Sequence, residues 1–115
     1  TLAEDVVSPM TGEVIAEDTT HPVMKNITSK FIIEKEEWYT YDKSPRPHVH
    51  VIASVNENTY SPEKKKKMGD HPAIWSNTNV ASRNVYIFMG HSPDLLKNAS
   101  YTTLLSNAIF WTAGK

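Results

Sequence analysis

The chain has 115 residues, 39% of them hydrophobic and 22% charged, enough for one domain around a packed core and too few to require a second. A formal charge of -1 gives no electrostatic footprint for nucleic acid or an anionic membrane, and no apolar run approaches the roughly 18 residues that span a bilayer. Without cysteine there is no disulfide framework, no thiolate zinc site and no thiol nucleophile, and the compartment is left open.

In chain order, the start Thr1-Leu2-Ala3-Glu4-Asp5 has neither the basic nor the apolar region of an export signal, and a first residue other than Met is expected of a processed or trimmed product. Residues 13–16 and 31–33 are short apolar runs of strand length. His21-Pro22 lies between them and His71-Pro72 comes later; a residue before proline is held extended, so both read as turn positions. The second run leads into Glu36-Glu37-Trp38-Tyr39. Neighbours on a strand face opposite ways, so one glutamate points inward; Glu37 is favoured, and Trp38 could stack on a pyranose face or, the commoner use, fill the core.

Residues 48–53, His-Val-His-Val-Ile-Ala, alternate as a strand with one wetter face, with His48 and His50 on the same side. Lys64-Lys65-Lys66-Lys67 reads as a solvated loop, and residues 73–75 as a further strand. Val85-Tyr86-Ile87-Phe88-Met89 is continuously apolar, which predicts an interior parallel strand covered on both faces and ending at Gly90-His91. A short turn follows at Ser92-Pro93-Asp94. Ser100 is then a suitable N-cap for a helix whose apolar positions Tyr101, Leu104, Leu105, Ala108, Ile109 and Ala113 recur every three or four residues until Gly114 stops it. The triplets Asn26-Ile27-Thr28 and Asn98-Ala99-Ser100 match the glycosylation pattern, one that arises often by chance.

Loops at the carboxyl ends of parallel strands are where α/β sheets place their chemistry, which singles out His91. Its imidazole titrates near neutrality and suits a general base; the competing reading is a histidine that caps the next helix. A carboxylate of the Glu36-Glu37 pair and the Tyr39 phenol are groups that grip sugar hydroxyls. Trp75 could stack on a pyranose face or fill a core, and Arg83 could bind an anion or form a structural ion pair. No cofactor is called for: a zinc site would need His48 and His50 joined by His71 or His21.

The sequence of motifs His21-Pro22, Glu36-Glu37-Trp38-Tyr39, Pro72-Ala73-Ile74-Trp75, Arg83, residues 85–89, Gly90-His91 and the closing Asn107-Ala108-Ile109-Phe110-Trp111-Thr112-Ala113-Gly114 resembles the C-terminal half of the ThuA-like (trehalose utilisation) family. That family is related to the class I glutamine amidotransferases. The resemblance implies an α/β, flavodoxin-like three-layer sandwich, of which residues 1–115 form a single segment lacking the N-terminal half. A preceding half, another chain or a second copy would then complete the sheet.

The resemblance also implies a role in sugar utilisation and a small-molecule carbohydrate partner, with no nucleic acid or membrane. His91 and Glu37 would be catalytic, and Tyr39, Trp75 and Arg83 would bind substrate. Hydrolase or isomerase chemistry and a non-catalytic sugar-binding or interaction module both remain open. Glutaminase activity is not expected, because the amidotransferases use a cysteine and this chain has none. Two departures stand out: Asp94 lies three residues after His91 where the amidotransferase motif has a glutamate two residues on, and Val80-Ala81-Ser82-Arg83 replaces the family's Gly-Lys-Gly-Arg.

Overall fold

All five apolar runs contribute a strand to one antiparallel sheet. The structure, a computed structural model, describes residues 10–36, 38, 43–61, 67–89 and 93–114. Strands β1 (Met10–Ala16), β2 (Lys30–Glu36), β3 (His50–Ser61), β4 (Pro72–Ser76) and β5 (Tyr86–Ile87) lie in the order β2-β1-β3-β4-β5, and every neighbouring pair is antiparallel. Helix α1 (Ala99–Thr112) and three short 3-10 turns, Pro22–Met24, Arg46–His48 and Pro93–Lys97, complete a mixed α/β arrangement. No helix among the described residues is long and apolar enough to cross a membrane.

Strand periodicity explains the core. In β1, Met10, Gly12 and Val14 are buried while Thr11 and Glu13 are half-buried, the period-2 pattern of a strand with one packed face. Val14 sits opposite Phe31 on one side and Val55 on the other, and the next rungs pair Gly12 with Ile33 and Ala16 with Ala53. Tyr101 and Leu104 of α1 are buried in the same cluster as Val14, Ile33, Ile52 and Ile74.

The structure corrects three expectations. The run 85–89 is not an interior parallel strand: only Tyr86–Ile87 is regular, it pairs antiparallel with β4 at the sheet edge, and Tyr86 is 54% exposed. An apolar run reports affinity for a surface and not strand direction. Here Ile87 packs on the core, while Tyr86 lies parallel to Trp75 across the strand pair, ring centroids 6.0 Å apart at 10°. Second, the alternation expected at 48–53 fails. His48 belongs to the Arg46–His48 turn, so His48 and His50 share no strand face, and register shifts around Ala53 leave Val51, Ile52 and Ala53 all buried.

Third, Asn98 and not Ser100 caps α1. Its side-chain oxygen accepts the Tyr101 amide at 3.0 Å, while its amide donates to the Ile32 carbonyl at 2.9 Å, so one residue both starts the helix and ties it to β2. Gly114 closes the helix as expected, with φ of +82°.

The turn at 80–83 manages without the family's glycines. Asn84 accepts the Asn77 amide at 2.7 Å and donates to the Asn77 and Ser82 carbonyls at 3.0 and 2.9 Å, so side-chain amides hold the loop without a left-handed residue. Glycine is needed at position 12 for a different reason. A Cβ there would lie 3.1 Å from the Trp38 and Tyr60 rings, and Trp38 cannot retreat because it is buried with its indole N–H on the Met10 carbonyl at 2.9 Å. Gly12→Val is therefore expected to destabilise by about 1–3 kcal/mol in urea unfolding; an unchanged midpoint would show that the rings yield freely.

Candidate functional site

Past the end of β1 the chain is fastened to β3. The Glu17 and Asp18 amides both donate to the Ile52 carbonyl, at 2.8 and 3.1 Å, which holds both side chains at the start of β3. Arg46 forms two-pronged contacts with each of two carboxylates. Its Nη1 and Nη2 meet Glu17 at 2.7 and 2.8 Å, and its Nε and Nη2 meet Asp70 at 2.9 and 2.7 Å. The guanidinium holds both Glu17 and Asp70 below the usual carboxylate range, and they in turn raise the Arg46 pKa.

Beside this set, Asp18 makes an Asx turn. Its Oδ1 accepts the Thr20 amide and hydroxyl, at 3.1 and 2.8 Å, and its Oδ2 meets His50 Nε2 at 2.7 Å. The bond to His50, supported by Thr20, lowers the Asp18 pKa to about 2. His21 follows as the N-cap of the Pro22–Met24 turn, its Nδ1 accepting the Val23 amide at 3.2 Å. Burial depresses its pKa below the ordinary histidine value, which favours the neutral ring.

The edge of His21 meets Trp111 at a centroid distance of 4.6 Å and 69°, and its centroid lies 6.3 Å from that of His50. Asn107 secures the neighbourhood by donating to the Val23 and Lys25 carbonyls, both at 2.8 Å. Arg83 reaches the same helix end: its Nη1 donates to the Trp111 carbonyl at 2.9 Å and the guanidinium lies over the Trp111 ring at 5.5 Å.

These groups share one sign of pH dependence. Glu17, Asp18, His21 and Asp70 all have lowered pKa values in the fold, so the unfolded chain binds more protons and stability falls as pH falls. The loss begins below the ordinary His21 value of 6.5, continues through the ordinary carboxylate values of 4.5 and 3.8, and is complete for Asp18 only near 2. Thermal unfolding from neutral to strongly acidic pH is expected to show a steadily falling Tm; a flat profile would contradict these contacts.

The residues singled out from sequence fall in three places. His91, Glu37 and Tyr39 lie outside the described residues. Arg83 is exposed and sits at the Trp111 end of the histidine cluster, without a carboxylate partner among the described residues. Trp75 is half-buried on the sheet, with the ring centroids of Tyr86 and Phe88 each 6.0 Å away. Trp38 is core at 1% exposure, and Glu36 is the glutamate found fully buried.

The four histidines weighed for zinc do not converge. His71 is buried at 1%, His48 lies in the 46–48 turn, and no group of three His, Asp or Glu among the described residues could hold a metal ion. Asp18 and Trp111 were not legible as site residues from sequence. The signal that could have found Asp18 is Asp-Thr-Thr directly after a strand, a typical Asx turn. Of the two glycosylation-type triplets, Asn98 spends its side chain capping α1.

Comparison with known proteins agrees with the order of motifs along the chain. The family model described as ThuA, trehalose utilisation, matches residues 3–112. A ThuA-like protein from Bacteroides uniformis ATCC 8492 superposes with a TM-score of 0.79 at 32% identity, over 93% of this chain and 44% of its own. A ThuA-like protein from Parabacteroides merdae ATCC 43184 shares the fold with a TM-score of 0.66 at 17% identity, over 95% of this chain and 41% of its own. The chain thus spans less than half the length of either solved structure. No curated protein matches it. With a family model covering nearly its whole length, the chain belongs to the ThuA (trehalose utilisation) family.

Proposed function

We propose that the protein carrying this chain works in carbohydrate utilisation, binding or transforming a sugar or sugar derivative, with His91 as general base and Glu37 as its acidic partner. Family membership is the observation that carries this reading. Tyr39, Trp75 and Arg83 are assigned to substrate. Support for Trp75 comes from its half-buried position beside Tyr86, parallel to it at 10°, and Phe88, tilted at 32°, aromatic rings of the kind that pack against sugars. Arg83 is supported by a guanidinium that stays exposed beside Trp111.

In the same reading the complete domain is a flavodoxin-like three-layer sandwich akin to the class I glutamine amidotransferases, and this chain is its C-terminal part. The exposed apolar side chains Ile32, Tyr86, Leu96, Ile109 and Phe110 are surfaces that a further half, or another copy, would cover. Glutaminase chemistry is left out because the chain offers no cysteine.

The test is turnover of a panel of mono- and disaccharides and their oxidised derivatives. His91→Ala is expected to lower kcat by about 10²–10⁴. Unchanged turnover in that variant would remove His91 as the base. Sugar binding without turnover in the unaltered protein would favour the non-catalytic module, the reading supported by the missing cysteine and by the three-residue spacing from His91 to Asp94.

A further inference from the structure

We infer that His50 and His21 form a subsite for a pair of sugar hydroxyls, in which His50 Nδ1 accepts a hydrogen bond from one and His21 Nε2–H donates to the other. The inference rests on the carbohydrate reading above and adds a pair of residues that reading does not use.

The two rings are fixed in complementary states by their other nitrogens. Asp18 is ionised at neutral pH, so the 2.7 Å bond places a proton on His50 Nε2, and an uncharged ring then offers the Nδ1 lone pair as its acceptor. His21 is arranged the other way. Its Nδ1 is occupied by the Val23 amide, so the neutral ring must carry its proton on Nε2, where it can only donate. Among the described residues neither His50 Nδ1 nor His21 Nε2 has a hydrogen-bond partner. One acceptor and one donor thus stand on rings whose centroids are 6.3 Å apart.

This pairing selects among ligands. Sugar hydroxyls both donate and accept, so two of them satisfy the pair. A phosphate or carboxylate can only accept, and would meet the Nδ1 lone pair with Asp18 close by. A metal ion finds one usable lone pair between the two rings, too few to chelate.

The site is rigid. Ile52 anchors the Asp18 backbone, Thr20 grips its second oxygen, and Trp111 braces the His21 ring. Rigidity of this kind lowers the entropic cost of binding. Of the nearby charges, Arg46 is paired with Glu17 and Asp70, while Arg83 lies over the Trp111 ring.

The experiment is long-range ¹H–¹⁵N NMR of the histidine rings in the protein carrying this chain, at mildly alkaline pH, with trehalose as the probe. Both rings are expected to carry a proton on Nε2, and trehalose is expected to shift His50 Nδ1 and His21 Nε2. In Asp18→Asn the amide can donate to His50 Nε2 and drive the ring proton to Nδ1. That variant should weaken trehalose binding about tenfold, the worth of one hydrogen bond. His50→Ala, at an exposed position, should give the same loss with Tm little changed.

A His21 ring protonated at Nδ1, or full trehalose affinity in both variants, would overturn the inference. Trehalose shifts confined to the Trp75 and Arg83 resonances would also overturn it while leaving the carbohydrate reading intact. If trehalose and glucose moved no resonance at all, both would fall.

Discussion

Trp38→Ala is expected to lower stability by about 3–5 kcal/mol, the range for deleting a fully buried indole. The residue lies just past β2, is 1% exposed, and packs beside Tyr60 at a centroid distance of 6.0 Å and over the bare backbone of Gly12. Truncation would remove that ring, leave a cavity beneath β1, and strip the buried Met10 carbonyl of its 2.9 Å donor. Because a domain of this size has a total stability of about 5–15 kcal/mol, that loss is a large share of the whole. Chemical denaturation would measure it, and a loss under about 1 kcal/mol would mean that Trp38 is not seated in the core.

Leu104→Ala should rank second, at about 2–5 kcal/mol. Leu104 is fully buried and with Tyr101 sets α1 on the sheet. Ile109 on the same helix is 67% exposed, so Ile109→Ala should stay within about 0.5 kcal/mol if no further surface covers it. A cost at Ile109 matching that at Leu104 would show that the outer face of α1 is itself an interface in the assembled protein. The comparison matters to the site as well, because α1 carries Trp111 against His21 and Asn107 against the 22–24 turn.

What could be read from sequence follows from what side-chain patterns encode. Apolar runs marked where the strands lie, because strands bury apolar side chains whatever the partner, but not their ends: β3 continues to Ser61, well past the run at 48–53. Strand direction was not legible: residues 85–89 look the same in an interior parallel strand and in a frayed edge whose aromatic rings lean on a neighbour. Helix α1 was legible through its apolar spacing, yet its start moved two residues to Asn98, since a side chain with a second bonding partner in β2 makes the better cap.

The candidate cluster was half visible. His21 and His50 stood out as residue types that carry chemistry, with metal ligation as the role their type suggests. Their tautomers depend on Asp18 and the Val23 amide, tertiary and local contacts that no spacing rule reports. The family was legible because no single motif had to carry it: each is weak, but their order along the chain is restrictive.

Both proposed sites depend on whether the protein carrying this chain handles sugars. Saturation-transfer NMR with trehalose, glucose and their oxidised derivatives addresses this whatever the reaction is. Irradiating the aromatic protons is expected to transfer saturation to the ring protons of at least one of these sugars, and the transfer should shrink in Trp75→Ala. No transfer to any of them, from a protein shown to be folded, would contradict the carbohydrate role.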